Sequence, residues 1–324
     1  SDRLCRPALK RPLRQAGIEV TRIVRDLFTL AERGDVPLTQ ALRFSEELKN
    51  KFPDFVHLIK SETNELLGTT ELIAHPQSRA ILEPNSSILV FKNTQRVESE
   101  ISSKGLIAIN PKSALSERVE NKLSQIRWLG ELAKYLPPHT IKLAKLINWK
   151  NMPFIVQWAH GHTGDGTILI KDRENLDAIQ AKFPERMARL TNFIEGPSFT
   201  VNAVVSKDKI LMANISYQIT GLQPFTDNEF STIGNDWAYA KKFLNENDLN
   251  QIRTIVRDVG SQLQRDGWKG LFGLDFIMDK NSRKIYLIEI NARQPASTTF
   301  ESQLEILQRD KGTKGITTFE AHIR

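Results

Sequence analysis

Gly273-Leu-Asp-Phe-Ile-Met-Asp-Lys-Asn-Ser-Arg-Lys-Ile-Tyr-Leu-Ile-Glu-Ile-Asn-Ala-Arg293 reads as two strands around a polar turn. Gly273 to Met278 and Lys284 to Ile290 are apolar and β-prone, and Asp279-Lys-Asn-Ser-Arg between them supplies the turn residues. Side chains alternate faces along a strand, so Glu289 and Asn291 point the same way. Folding the chain back about Ser282 sets Asp275 directly opposite Glu289. Like charges facing each other across a sheet cost up to about 1 kcal/mol. A hard cation reverses that sign. Asp, Glu and an Asn carbonyl are oxygen ligands suited to Mg²⁺, which keeps its other positions for water and phosphate. A two-residue turn at Asn281-Ser282 shifts the pairing by one, so two registers stand open. A solvated edge hairpin competes with this reading, but Leu274, Phe276, Tyr286 and Ile288 predict a buried one.

The segments upstream set this hairpin in an α/β plus α+β chain of more than one lobe. Phe199-Thr-Val-Asn-Ala-Val-Val and Lys209-Ile-Leu-Met-Ala form a strand pair around Ser206-Lys-Asp. Leu249, Ile252, Val256, Val259 and Leu263 recur at helical spacing and predict an amphipathic helix closing at Gly267. A second such pattern runs through Leu115, Val119, Leu123, Ile126, Leu129, Leu132 and Leu136 until Pro137-Pro138 stops it. Ile88-Leu-Val-Phe, a polar helical stretch through Arg96 and Glu98, and Gly105-Leu-Ile-Ala-Ile suggest a parallel strand-helix-strand unit with buried strands. Earlier still, Gly17-Ile-Glu-Val reads as a short strand and Leu42-Arg-Phe-Ser-Glu-Glu-Leu as helix.

Pro153-Phe-Ile-Val-Gln is a strand that runs into His160-Gly-His-Thr-Gly-Asp-Gly-Thr167, and Ile168-Leu-Ile is the strand after it. Gly161 and Gly166 have P-loop spacing, yet no Lys follows Gly166 and no helix starts there, so this is not a Walker motif. A glycine-rich loop can still turn backbone N–H groups toward phosphate. His160, His162 and Asp165 lack a third histidine or a cysteine nearby, which disfavours a zinc site.

Composition bounds the function. The 324 residues are 40% hydrophobic and 26% charged, ordinary globular usage that excludes wholesale disorder. A single cysteine, Cys5, excludes an internal disulfide framework and multi-cysteine metal clusters. The net charge of +7 has its densest patch at Arg3, Arg6, Lys10, Arg11 and Arg14. Attraction for nucleotide phosphate explains it as well as DNA does, and neither zinc-finger spacing nor an aromatic-basic RNA signature is present. No apolar run approaches the roughly 20 residues that span a bilayer. The first residues lack the apolar stretch of a secretory signal. The expectation is a cytoplasmic protein that binds neither nucleic acid nor membrane.

The order of these motifs resembles the ATP-grasp superfamily of carboxylate–amine and carboxylate–thiol ligases. The resemblance rests on a helix with Lys122, the strand and glycine-rich loop, Thr191-Asn-Phe-Ile-Glu-Gly-Pro-Ser-Phe-Thr-Val, and Asp275 followed by Glu289-Ile-Asn-Ala-Arg. It covers residues from about 88 to 300. It implies an ATP-grasp fold of two lobes preceded by a partial Rossmann-like domain: residues 1–112 pre-ATP-grasp-like, 113–190 the small lobe with its flap, and 191–324 the large lobe with a metal site. The implied reaction makes an acyl phosphate from a carboxylate and ATP, then joins the acyl group to an amine.

By resemblance, Asp275, Glu289 and Asn291 hold Mg²⁺, or Mn²⁺ in its place, and Arg293 steadies the transferring charge. Asn192 and Ile194 offer backbone groups to adenine, with Phe193 and Ile288 as apolar walls. Gly161, His162, Thr163, Gly164 and Gly166 form the flap over the phosphates, and Lys122 is the first phosphate-binding lysine. The second such lysine is replaced by Gln157, which brings no charge; Lys145, Lys150 or a flap histidine are candidate substitutes. The acidic ribose contact falls on Ser198, with Glu195 as the alternative. Gln218, Asn235, Asp236, Trp237, Gln294 and Ser297 are candidate substrate contacts. The implied partners are a small-molecule carboxylate and amine, with room for a homodimer. Two other readings stand beside the ligase: an ATP-grasp carboxylase or kinase, and a nucleotide-binding regulatory module in which Gln157 marks lost catalysis.

Overall fold

The computed structural model describes residues 67–159 and 166–322. The strand at Gly17, the helix at Leu42 and the loop residues Gly161, His162, Thr163 and Gly164 lie outside them. The chain forms two compact units, one ending at Ala114 and one spanning Leu115–His322.

In the first unit, α1 (Thr69–Ala74) and α2 (Pro76–Arg79) precede β1 (Ser87–Ile88), α3 (Gln95–Ser103) and β2 (Ile107–Ala108). β1 and β2 pair in parallel, the expected strand-helix-strand unit, with shorter strands than the apolar runs predict. Asn110 explains the shortening. Its side-chain amide both accepts from Val90 N and donates to Val90 O, so it takes over the ladder where a backbone partner would stand. Thr94 caps α3 by accepting from Val97 N. Ile73, Ile88, Val90, Val97, Ile101 and Leu106 make the core. A groove beside α1 and α3, spanned by an Arg96–Glu71 ion pair, holds none of the candidate site residues.

The second unit opens within α4 (Ser113–Glu120) and continues with α5 (Ser124–Leu129) and a 3₁₀ turn, Gly130–Tyr135. The periodicity from Leu115 to Leu136 predicts one helix; the structure breaks it twice. At the first break Asn121 Oδ1 accepts from Leu123 N and Ser124 N, starting a new helix as a cap would. At the second, Gly130 adopts φ +53°, which favours glycine. The apolar positions keep their spacing because every segment still packs on the same core.

Two sheets follow. β3 (His139–Leu143), β4 (Phe154–Gln157), β5 (Thr167–Ile170) and β6 (Met187–Asn192) form a four-stranded antiparallel sheet in the order β3-β6-β4-β5. α6 (Arg173–Lys182), capped by Asp172, follows β5 and contributes Leu176 to a core with Val156, Trp158, Ile170 and Ala188. β7 (Ser198–Val205), β8 (Ile210–Thr220), β9 (Thr232–Asp236), β10 (Gly270–Met278) and β11 (Ile285–Asn291) form a five-stranded antiparallel sheet, order β11-β10-β7-β8-β9. The helices of this lobe are α7 (Trp237–Phe243), α8 (Glu246–Arg265), α9 (Thr298–Asp310) and α10 (Thr318–His322).

One face of the five-stranded sheet is apolar. Phe199, Val201, Ala203, Phe272, Leu274 and Phe276 bury there in one core with Ile252, Ile255, Val256, Val259 and Leu263 of α8. The helical spacing read from Leu249 to Leu263 is this stripe. Asn245 and Asp248 start α8 with a reciprocal capping box. The opposite face carries Thr200, Asn202 and Ser216, which are also buried. A buried polar face is costly without partners, so this is where a ligand-bearing surface is to be sought.

Candidate functional site

The β10–β11 hairpin decides the geometry. Its loop, Lys280–Arg283, is closed by Asp279 N donating to Lys284 O, and it pairs Met278 with Ile285 and Phe276 with Leu287. Continued without interruption, that register sets Ile288, not Glu289, opposite Asp275. A β-bulge intervenes: Ile288 is the extra residue, and Asp275 pairs with Glu289, Leu274 with Ile290 and Gly273 with Asn291. The bulge also shifts which residues face the core. Ile285, Leu287, Ile290 and Ala292 are the buried apolar ones, whereas Tyr286 and Ile288, expected inside, are not.

Asp275 and Glu289 thus share the polar face, in line with Thr200 on β7 and Ser216 on β8. Asp275 Oδ2 accepts from Asn291 Nδ2 at 2.9 Å and Oδ1 from Gln218 Nε2 at 3.1 Å. Burial, and then the neighbouring Glu289 charge, push the Asp275 carboxyl up to about 6; contacts with Thr200 and Asn291 and the charge of Arg293 pull it down. Two opposed carboxylates with an amide beside Asp275 form a hard oxygen donor set that a divalent cation would relieve. Among the described residues no group of three or more His, Cys, Asp or Glu side chains offers a metal site. Two carboxylates and an amide still suit Mg²⁺, which takes one or two carboxylates and fills the rest with substrate oxygens.

Cations surround the pair. Lys122 is buried, and its Nζ lies 3.1 Å from Glu289 Oε1. The helix break places it there: Lys122 N donates to Ala159 O just beyond β4, which turns the residue out of helical register. Arg293 Nε lies 3.4 Å from Glu120 Oε1 at the end of α4.

Arg189 on β6 is the residue that sequence reading missed. It is 1% exposed and directly paired with Gln157 of β4. Its Nε donates to Gln157 Oε1 at 2.9 Å, Nη1 to Gln125 Oε1 at 2.9 Å and Nη2 to Ile288 O at 3.0 Å. Burial lowers the guanidinium to about 10, and the Glu289 charge pulls it back up. Gln157 Nε2 in turn donates to Thr167 Oγ1. In Met187-Ala-Arg-Leu-Thr-Asn a basic residue in alternation reads as solvent-facing, and nothing local signals otherwise. Thr200, Asn202, Ser216 and Gln218 were more accessible to reading, because polar residues recur at every second place in β7 and β8.

The segment 193–197 joins the two sheets. Asn192 N donates to Pro138 O, Phe193 is 37% exposed, Ile194 is half-buried and Glu195 pairs with Lys280 at 2.7 Å. Glu195 O accepts from Lys280 N, and Met278 N donates to Pro197 O, so the segment is stitched to the hairpin. At Gly196 a Cβ would lie 1.9 Å from Met278 O, so no side chain fits. Ser198 begins β7 opposite Ile277, and Gly166 O accepts from Trp158 N at the mouth of the β4–β5 hairpin.

The candidate substrate contacts divide. Gln218 reaches Asp275. Asn235 Nδ2 donates to Ser216 Oγ on the same face. Ser297 Oγ donates to Asn202 Oδ1, and Gln294 lies half-buried two residues past Asn291's neighbour Ala292. Asp236 instead caps α7 through Tyr239 N. The indole N–H of Trp237 goes to buried Glu301, which also accepts from Asn214 N and Nδ2, and the Trp237 ring packs on Phe300. Burial raises the Glu301 carboxyl, and those donors hold it down. Asp236 and Trp237 are therefore committed to local structure.

A family model described as an ATP-grasp domain matches residues 119–297. Among solved structures, D-alanyl-alanine synthetase A from Vibrio cholerae O1 biovar eltor matches at 17% identity and TM-score 0.54, covering 70% of each chain. Carboxyaminoimidazole ribonucleotide synthase from Aspergillus clavatus, complexed with ATP, matches at 14% and 0.57, covering 87% of this chain and 72% of that one. D-alanine–D-alanine ligase from Bacillus anthracis, complexed with ATP, matches at 14% and 0.53, covering 81% and 82%. No curated protein matches the sequence. Among the described residues no helix is long and apolar enough to cross a membrane.

Proposed function

This chain belongs to the ATP-grasp domain family, and from that premise we propose that it is an ATP- and Mg²⁺-dependent carboxylate–amine ligase working in the cytoplasm. The observation that carries the reading is the opposition of Asp275 and Glu289 on a partly buried polar face, with Lys122 and Arg293 anchored beside them. We assign residues 1–112 to a pre-ATP-grasp-like domain, 113–190 to the small lobe and 191–324 to the large lobe.

Asp275, Glu289 and Asn291 would hold Mg²⁺, or Mn²⁺, which supplies neutralisation of the charge developing on the transferred phosphoryl group. Lys122 donates to a phosphate oxygen once Glu289 is engaged elsewhere. Arg293, oriented by Glu120, steadies the developing oxyanion. The connection from Asn192 to Ser198 receives adenine and ribose, and Ile288 and Phe193 flank the base. The glycine-rich segment from Gly161 to Gly166 covers the phosphates and excludes water, which an acyl phosphate requires. The carboxylate oxygen takes the γ-phosphoryl group and ADP leaves; the amine then attacks the acyl carbon, phosphate leaves and the amine loses a proton. Gln218, Asn235, Gln294 and Ser297 border the place where the carboxylate and amine meet.

The test is ATP consumption with Mg²⁺ and pooled amino acids, resolving ADP from AMP and following new masses. ADP, phosphate and a condensation product establish the ligase. AMP overturns the acyl-phosphate route, and ADP with a phosphorylated or carboxylated product turns the reading to a kinase or carboxylase.

A further inference from the structure

Each cation of the site but one has a carboxylate in contact. Lys122 has Glu289 and Arg293 has Glu120. Arg189, more deeply buried than either, donates to two side-chain amides and one backbone carbonyl, all neutral, and forms no ion pair among the described residues. The Glu289 charge acts on it without contact, and a buried guanidinium whose contacts are all neutral gains from an anion that reaches it. The three contacts use three of its five N–H donors, one on each nitrogen, and leave one on Nη1 and one on Nη2. Those two N–H groups are the donors left, among the described residues, for an incoming phosphate oxygen.

We propose that Arg189 is a nucleotide-phosphate ligand, entering the site from β6 and supplying the positive charge that Gln157 on β4 lacks. Gln157 then has a role of its own: as a positioning residue it accepts from Arg189 Nε, and its own amide is tied to Thr167. Gln125 and the Ile288 carbonyl hold the other two nitrogens, so the guanidinium is fixed before ligand arrives. This assignment rests on the nucleotide reading above and deepens it.

The experiment titrates the whole chain with ADP plus Mg²⁺ and, separately, with adenosine, which lacks phosphate. Arg189→Gln should weaken ADP by about 10- to 100-fold, the loss of one charge-assisted contact, and leave adenosine unchanged. ADP unchanged, or ADP and adenosine weakened equally, overturns the assignment. Should Arg189→Gln fail to fold, Arg189→Lys serves: a smaller loss confined to ADP supports the assignment, and a loss shared with adenosine overturns it. Gln157→Lys placed in the Arg189→Gln chain returns a cation from β4 and should recover ADP affinity. A wild-type chain that binds neither ADP nor ATP removes the nucleotide reading itself, and this assignment with it.

Discussion

Lys122 Nζ lies 3.1 Å from Glu289 Oε1 although 167 residues separate them in sequence. The ammonium stands where a divalent cation is proposed to act on the same carboxylate. Its charge offsets the repulsion between Glu289 and Asp275 in the ligand-free chain. Replacing Lys122 with Met removes the charge-assisted contact and should cost about 1.5–3 kcal/mol of stability. Mg²⁺ should then raise the melting temperature of Lys122→Met more than that of the wild type. Equal Mg²⁺ shifts in both chains contradict this arrangement.

Glu289→Gln separates stability from chemistry. Removing one of two opposed carboxylates relieves up to about 1 kcal/mol of repulsion, which offsets part of the about 1.5–3 kcal/mol lost with the Lys122 contact, so the variant should melt only modestly lower than wild type. Its ATP turnover should fall at least about 100-fold, since metal-assisted charge neutralisation supplies several kcal/mol. Undiminished turnover would remove Glu289 from the site.

His322 gives the fold a pH dependence of its own. Its Nδ1 accepts from Leu271 N at 3.0 Å, and burial lowers the ring to about 4 from its ordinary 6.5. The unfolded chain therefore binds the proton first. Stability from this group is complete above about pH 6.5 and is lost as pH falls toward 4, by at most about 3 kcal/mol. Denaturant melts from pH 7 to 4 should show this slope, and His322→Phe should flatten it. An unchanged slope in that variant assigns the acid sensitivity elsewhere.

Gly196→Ala tests the connection between the sheets. Its Cβ would lie 1.9 Å from the Met278 carbonyl, which forces the segment off the hairpin. A cost of about 1–3 kcal/mol follows, with weaker adenosine binding because the proposed adenine contacts lie two to four residues away. Calorimetric melting and an adenosine titration read both effects, and normal values in both show that the segment yields freely.

The hairpins, the long α8 and the strand-helix-strand unit were legible because one-sided burial writes a period of 2 or 3.6 into the chain. The opposition of Asp275 and Glu289 was legible only as one of two registers, since pairing at distance is set by loop closure and by the bulge. The bulge left its own trace: core positions 285, 287, 290 and 292 skip three residues where two are normal. The break at Asn121 was hidden, because apolar spacing survives when short helices share one core. Arg189 was hidden for a different reason. A charge in an alternating strand faces solvent unless another element covers it, and here the cover comes from Gln125, 64 residues away.

Deleting Ile288 would leave Leu287 opposite Phe276 and bring Glu289 next in line, still opposite Asp275, in an unbroken ladder. The carboxylates therefore do not depend on the extra residue. What the insertion contributes is a peptide oxygen released from strand pairing and turned sideways onto Arg189. A shortened hairpin would look more regular and keep its acidic ligands, yet the guanidinium would lose one of its three anchors. An indel, not a point substitution, is the lesion that would loosen the guanidinium while sparing the acidic pair.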